Sequence, residues 1–531
     1  MRQTKHLKGF FFLILFSFII NITSAQTKKL TVQAKESMLK ATRFMVEEVS
    51  YNGGYVWYYL PDFSRRWGEM EACKTMIWVQ NPGTVTMGDS FLDAYETTGN
   101  PYYYEAAKKV AAALIWGQSH QGGWNYMIDF GGDRSLKKWY NTIGKNGWRL
   151  EEFQHYYGNS TFDDGVTSGA ARYLLRMYMT KLDPTYKPAL DKAINFILES
   201  QYPLGGWPQR YPLKFDYSKN GNADYSSYYT LNDDVTWDNI QFLIQCYVLL
   251  GEQRFLDPIR RAMNFYLVAQ NGSGGWSQQL NMELKAASAR TYEPAGLLPS
   301  ATFKNCMLLL KFYEFSGERK FLLAIPPAIE WLEQNQLPED QTQEGKYTHP
   351  AFIDPETGDP IYVHRTGSNV KYGHYYTDQN DEKLLRHYGG KTYIPLDFLK
   401  KEYKRIASLS PDEAIANSPL NESGEYGIEI LKGLTEQRSI RDRNDSLKKR
   451  VDEIIQSLDD KGRWLVEHAM VSNPYIGEGQ KIEQTDEFVS TMVGDNSDTS
   501  PYLDESDQMY ISTRQYIRNM KLLMEYLKKE N

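Results

Sequence analysis

The chain has 531 residues, with 60 Lys and Arg against 67 Asp and Glu and a formal net charge of −7. That balance argues against nucleic acid as a partner, and it requires any acidic polymer to be received by a locally basic cleft. Cys73, Cys246 and Cys306 are odd in number and widely spaced, so they frame no disulfide scaffold and offer no metal-knuckle spacing.

Residues 1–25 read as a secretory signal. Arg2, Lys5 and Lys8 precede an apolar stretch from Gly9 to Ile22, and Thr23-Ser24-Ala25 supplies small residues for cleavage. The apolar run is short for a bilayer span and no basic stop-transfer cluster follows. The mature chain is therefore expected to be secreted or periplasmic, unanchored and monomeric.

Four segments then share one outline: a helix ending in an aromatic, a short turn, and an apolar helix ending near Gln. They run from Phe91 to Gln118, Leu174 to Gln201, Phe242 to Gln270 and Leu308 to Gln334, with the Gln residues 83, 69 and 64 positions apart. Three are followed by Gly-Gly-Trp, ending at Trp124, Trp207 and Trp276, and Gly53-Gly54-Tyr55 is an earlier relic. Gly-Gly just past a helix end supplies the left-handed backbone of an exit turn, over which the Trp can pack. Repeats of this length with two helices each predict an all-α fold, an incomplete (α/α) barrel or toroid of helix pairs. The long loops Met127 to Thr161, Pro208 to Thr230 and Ser277 to Ser300 should then meet on one face and form a cleft. Residues 338–395 read as crossing loops or short strands. Helical signals return after Pro411, and Asp459 to Trp464 reads as a degenerate exit turn. This divides the mature chain into a barrel domain, 26–400, and a helical extension, 401–531, packed on it.

Asp163-Asp164-Gly165 and Asn232-Asp233-Asp234 each precede a long helix, one repeat apart. Taken singly, each reads as an N-cap. As a pair on one face, they are hard oxygen donors of the kind Ca²⁺ collects, and Asp163 and Asp233 are the expected metal ligands. Trp207-Pro208-Gln209-Arg210 is a stiff loop that reads either as a turn with Trp207 in the core or as a sugar subsite, where Trp207 stacks and Arg210 meets a carboxylate. Lys285, Arg290 and Tyr292 close the loop after the third Gly-Gly-Trp, and Arg365 is a further loop cation.

Together these blocks resemble family-ten pectate lyases. Ser160 to Thr167 is similar to that family's S-T-I-D-N-x-A-T, and Gly205 to Pro212 to G-G-W-P-Q-F-Y-P. Leu231 to Asp234 resembles F-N-D-D, Ala289 to Pro294 resembles A-R-A-Y-E-x, and Pro360 to Gly367 is similar to a later P-x-F-S-x-R-D-G segment. The resemblance spans roughly residues 100 to 400. It implies Ca²⁺-assisted β-elimination on polygalacturonate, with Arg290 as Brønsted base. Asp163 and Asp233 or Asp234 would be cleft carboxylates and Arg365 a ligand of the substrate carboxylate. Apart from the resemblance, the loop positions of Lys285, Tyr292, Trp207 and Arg210 make them further candidate substrate-binding residues. The chain departs from the pattern at Arg210, which replaces an aromatic, and after Trp276, where Ser277-Gln278-Gln279 lacks the family's His and Asp. Two other readings stand beside this one: an (α/α)-toroid glycoside hydrolase acting on uronides, with Asp163 and Asp233 as acid and base, and an acidic-glycan-binding protein without catalysis.

Overall fold

The computed structural model describes residues 28–144, 151–214, 224–343, 345–366, 374–382, 384, 390–421, 429–430, 444–467, 469, 471 and 508–530. The proposed signal, residues 1–25, lies outside them. Helices dominate: α1 (28–44), α2 (Thr84–Thr98), α3 (Pro101–Gly117), α4 (Asp133–Thr142), α5 (Val166–Lys181), α6 (Lys187–Glu199), α7 (Val235–Leu250) and α8 (Leu256–Val268). They continue with α9 (Pro299–Ser316), α10 (Lys320–Leu323), α11 (Ile325–Gln334), α12 (Leu396–Ala407), α13 (Pro411–Ala414), α14 (Asn444–Gln456) and α15 (Thr513–Glu530). Among the described residues no helix is long and apolar enough to cross a membrane.

The helices pair as the repeat predicts, α2 with α3, α5 with α6, α7 with α8 and α9 with α11. Burial separates the two members. Helix α7 buries 11 of its 16 residues, including Trp237, Phe242 and Cys246, whereas α8 buries 6 of 13 along one stripe. A helix apolar nearly all round belongs inside, and a one-sided helix outside. First members form an inner row and second members an outer row. This is the (α/α) toroid architecture expected from the sequence.

The exit turns hold the rows together. Trp124, Trp207 and Trp276 are fully buried, and each indole N–H donates 2.8 Å to the carbonyl ten residues earlier, on Leu114, Ile197 and Tyr266. The side-chain amides of Gln118, Gln201 and Gln270 each donate to the glycine carbonyl of their own turn. Each also donates to a carbonyl of the next repeat, on Ala189, Pro258 or Ala324, all at 2.8 to 2.9 Å. The first glycine of each turn has positive φ and lies against the next outer helix, so close that an added Cβ would fall 2.5 Å or less from a carbonyl oxygen of Lys192, Arg261 or Pro327.

The chain ends close on the same kind of turn. Trp464 donates 2.9 Å to Ile454, again ten residues back, and Gly462 lies against the carbonyl of Lys40 in α1. Asp459 to Trp464 is thus an exit turn of the same build, with α1 as the outer helix that follows α14. Helix α15 packs on α2, and the Tyr516 hydroxyl shares a 2.6 Å hydrogen bond with Thr42. First and last helices therefore complete one pair between them. Replacing a buried Trp by Ala typically costs about 3–5 kcal/mol, so Trp464→Ala should destabilise the protein about as much as Trp207→Ala does. Chemical denaturation checks this, and a loss below about 1 kcal/mol would show that the last turn is not part of the common core.

Candidate active site

The loops are tied in sequence by two-residue strands. Ser160 and Thr161 pair with Tyr211 and Arg210, and Tyr229 and Thr230 pair with Leu280 and Gln279. The segment before each inner helix is thereby clamped to the segment after the next exit turn. This sets the acidic turns Asp163–Gly165 and Asn232–Asp234 side by side at the starts of α5 and α7. Asp164 and Asp233 have φ of 49° and 46°, a left-handed conformation uncommon outside glycine and most tolerable for Asp and Asn. No side chain caps either helix through a hydrogen bond. The capping reading fails, and the carboxylates are spent elsewhere.

Arg290 is where they converge. It is buried, with Nε 3.0 Å from Glu293 Oε2 and Nη2 3.3 Å from Asp233 Oδ2; Nη1 lies 3.5 Å from the Tyr292 hydroxyl and 3.7 Å from Glu152 Oε1. Asp163 is buried beside this group. Its Oδ2 accepts a 2.5 Å hydrogen bond from Tyr126, and its Oδ1 is buried without a hydrogen-bond partner. Gln80 bridges the next two acids, donating 2.6 Å to Asp164 and 3.0 Å to Glu69.

This much acid around one guanidinium shifts the carboxyls. Burial pushes Glu152 up to about 7 against the pull of Arg290. Asp164 keeps contact with solvent but sits recessed between protein walls; loss of solvation there, then the charge of Asp163, moves it to about 6. Asp233 is held well above the carboxylate range by burial and by Asp163, and Glu69 by burial, Glu152 and Asp164. Folded values above the unfolded ones mean that the protonated forms favour the fold. The stability they contribute is complete below about pH 4 and is lost as pH rises through 6 to 7. The melting temperature should fall between pH 5 and pH 8, less steeply in Glu152→Gln; equal slopes in calorimetry would contradict this assignment.

Not every expected residue arrives here. Trp207 is fully buried in the core with its indole N–H on Ile197, so no ring face is offered to a sugar, and the subsite reading is corrected to the packing one. Arg210 is also buried, 4.4 Å from the Tyr157 ring centre and 5.2 Å from that of Tyr126, with Nη1 on Asn125 and Nη2 without a partner. It braces Tyr126 from behind and is not an open subsite cation. Lys285 lies out on a solvated turn, paired with Glu283. Asp234 turns to Lys304 at 2.5 Å. Arg365 pairs through its backbone with Tyr375, whose ring packs on Tyr292; its side chain and Gly367 lie outside the described residues. Where the family pattern has His and Asp, Gln278 accepts the amides of Leu231 and Asn232, and Gln279 donates to Tyr225 and Thr230. These residues support the second acidic turn from below. Glu69, Gln80, Tyr126 and Glu152 were missed by sequence reasoning. Only the length of the loop Met127 to Thr161, which holds Glu152, could have flagged one of them.

A sequence model of the pectic acid lyase family matches residues 130–235 and 218–292, which bears out the resemblance read from the motifs. No curated protein matches the sequence. Among solved structures, a mutant family 10 polysaccharide lyase from Cellvibrio cellulosa in complex with trigalacturonic acid is 19% identical, over 52% of this chain and 86% of that one, with a TM-score of 0.35. A second structure of the family 10 enzyme from that organism is 18% identical over 65% and 95%, TM-score 0.36. A cellobiose 2-epimerase from Spirochaeta thermophila is 10% identical over 96% and 98%, TM-score 0.42.

Proposed function

We propose that this chain, matched by the pectic acid lyase family over the segment that carries its acidic turns and Arg290, is a secreted or periplasmic polysaccharide lyase. It cleaves polygalacturonate or a related acidic uronan by β-elimination. The observation that carries the reading is the position of Arg290, a buried guanidinium at the junction of acidic turns from two successive repeats.

The reaction removes the proton at C5 of a uronate, next to its carboxylate, while the glycosidic oxygen at C4 departs. In this reading Arg290 accepts that proton. With a solution pKa of about 12.5, its neutral form costs roughly 7 kcal/mol at pH 7 and roughly 3 kcal/mol near pH 10. Asp233, Glu152 and Glu293 stabilise the cation further, so the rate should climb into the alkaline range. The same carboxylates fix the plane of the guanidinium and hold the proton once it is taken.

The donors present suit Ca²⁺. Asp163 Oδ1 is an orphaned buried carboxylate oxygen, and Asp163 and Asp233 would hold the ion. Among the described residues no three His, Cys, Asp or Glu side chains converge as a ready metal site, so water and the substrate's carboxylate would complete the shell. When bound, the ion would neutralise that carboxylate and make the C5 proton acidic. Arg365 stands on the strand beside Tyr292 and is proposed as a second carboxylate ligand.

Product chemistry tests the reading. Elimination leaves one of the two new ends unsaturated, so in each cut the fragment with the new non-reducing end is one water lighter than its hydrolytic counterpart, while the other fragment has the same mass in both reactions. Cleavage that yields no water-lighter fragments would overturn the lyase reading in favour of paired-carboxylate hydrolysis, and intact polymer with saturable binding would show a glycan-binding protein.

A further inference from the structure

We propose that the chamber lined by α2, α5 and α7, with Asp164 at its edge, is a binding site for a neutral monosaccharide. It has a volume of about 340 Å³, within the range of small-ligand sites.

Helix α7 is mostly apolar, yet Asp238, Gln241 and Gln245 recur at i, i+3 and i+7 and so share one face. That face lines the chamber, opposite Ser168 and Arg172 of α5 and Asp89 of α2. Gln241 donates 3.2 Å to Asp238 within this row, which keeps both side chains on the chamber side of the helix. Gln245 makes the case independently. It lines the chamber, is 1% exposed, and its amide N–H donates 3.1 Å to Ile430, while its buried Oε1 has no hydrogen-bond partner. A buried acceptor left unmatched asks for a donor from a ligand.

The chemistry of the lining selects the ligand. Asp89 is neutralised by Arg172 at 2.6 Å and Arg176 at 3.1 Å, which leaves Asp164 and Asp238 as the charge facing the space. A uronate carboxylate would be repelled there. Sugar hydroxyls would instead donate to Asp238 and Gln245, while the Gln241 amide and the Arg172 guanidinium supply donors of their own. The inference stands whether or not the chain is a lyase.

Saturation-transfer NMR of the full chain with D-galactose tests it. Two variants report on the chamber. Gln241→Leu removes one polar contact. Gly169→Met fills the space, because an added Cβ at Gly169 meets nothing nearer than Val85 at 3.9 Å and the helix tolerates a side chain there. The expected result is galactose binding that both folded variants weaken at least about tenfold, with eliminase activity on acidic glycan retained. Absence of transfer to galactose, or binding that persists in folded Gly169→Met, would overturn the proposal. Loss of elimination in the wild type, with galactose binding intact, would count against the lyase reading alone.

Discussion

Arg290→Ala should reduce elimination by about 10³-fold or more, since it removes the base together with a charge that offsets the developing enolate. The substitution also leaves Glu293, Asp233 and Glu152 without their shared cation. Breaking a buried pair in this way commonly costs about 3–5 kcal/mol, so folding must be measured beside activity. Arg290→Lys separates the two effects. Lysine keeps the positive charge and should preserve the fold, though it loses the fork geometry that Glu293 and Asp233 engage. If residue 290 is the base, the alkaline limb of the rate profile should move down by about 2 pH units, because lysine's ordinary pKa is near 10.4 against about 12.5 for arginine. A limb that stays in place, with reduced amplitude, would make Arg290 a charge stabiliser only.

Asp163→Asn is the second large effect. The side chain keeps its shape and can still accept from Tyr126, so the melting temperature should change little. The orphaned oxygen loses its charge, and with it the reason for a cation to sit there. Activity at fixed Ca²⁺ should fall by about 10²-fold or more, and the Ca²⁺ concentration for half-maximal rate should rise by at least about tenfold. Unchanged Ca²⁺ dependence would remove Asp163 from the proposed ion site. Calorimetric Ca²⁺ titration without substrate gives the same answer without relying on turnover.

Much of this architecture could be read from the residues. The Gly-Gly-Trp blocks and the Gln before them are local in sequence and recur, and each block builds the same joint from a positive-φ turn, a buried indole and an amide staple to the next repeat. The two acidic turns were legible because each directly precedes an inner helix, one repeat apart, and Arg290 because the block around it resembles a family motif. Other features were not. The junction of α1 with α14 and α15 depends on contacts across more than 400 residues, such as Lys40 Nζ to the Asp459 carbonyl. No local pattern encodes it. Trp207 and Arg210 show a different limit: a Trp after Gly-Gly has the same letters whether it faces a sugar or the core, and only burial decides. Glu69 and Glu152 reach the cluster from loops that carry no motif, and they matter because burial changes what their carboxyls can do.

The most direct test of Arg290-centred elimination is the rise in ultraviolet absorbance of unsaturated uronate during incubation with polygalacturonate and Ca²⁺, followed from neutral to strongly alkaline pH. A rate that climbs steeply with pH and is abolished in Arg290→Ala is the predicted result. Absorbance that peaks in the mildly acidic range, or that survives in folded Arg290→Ala, would contradict it.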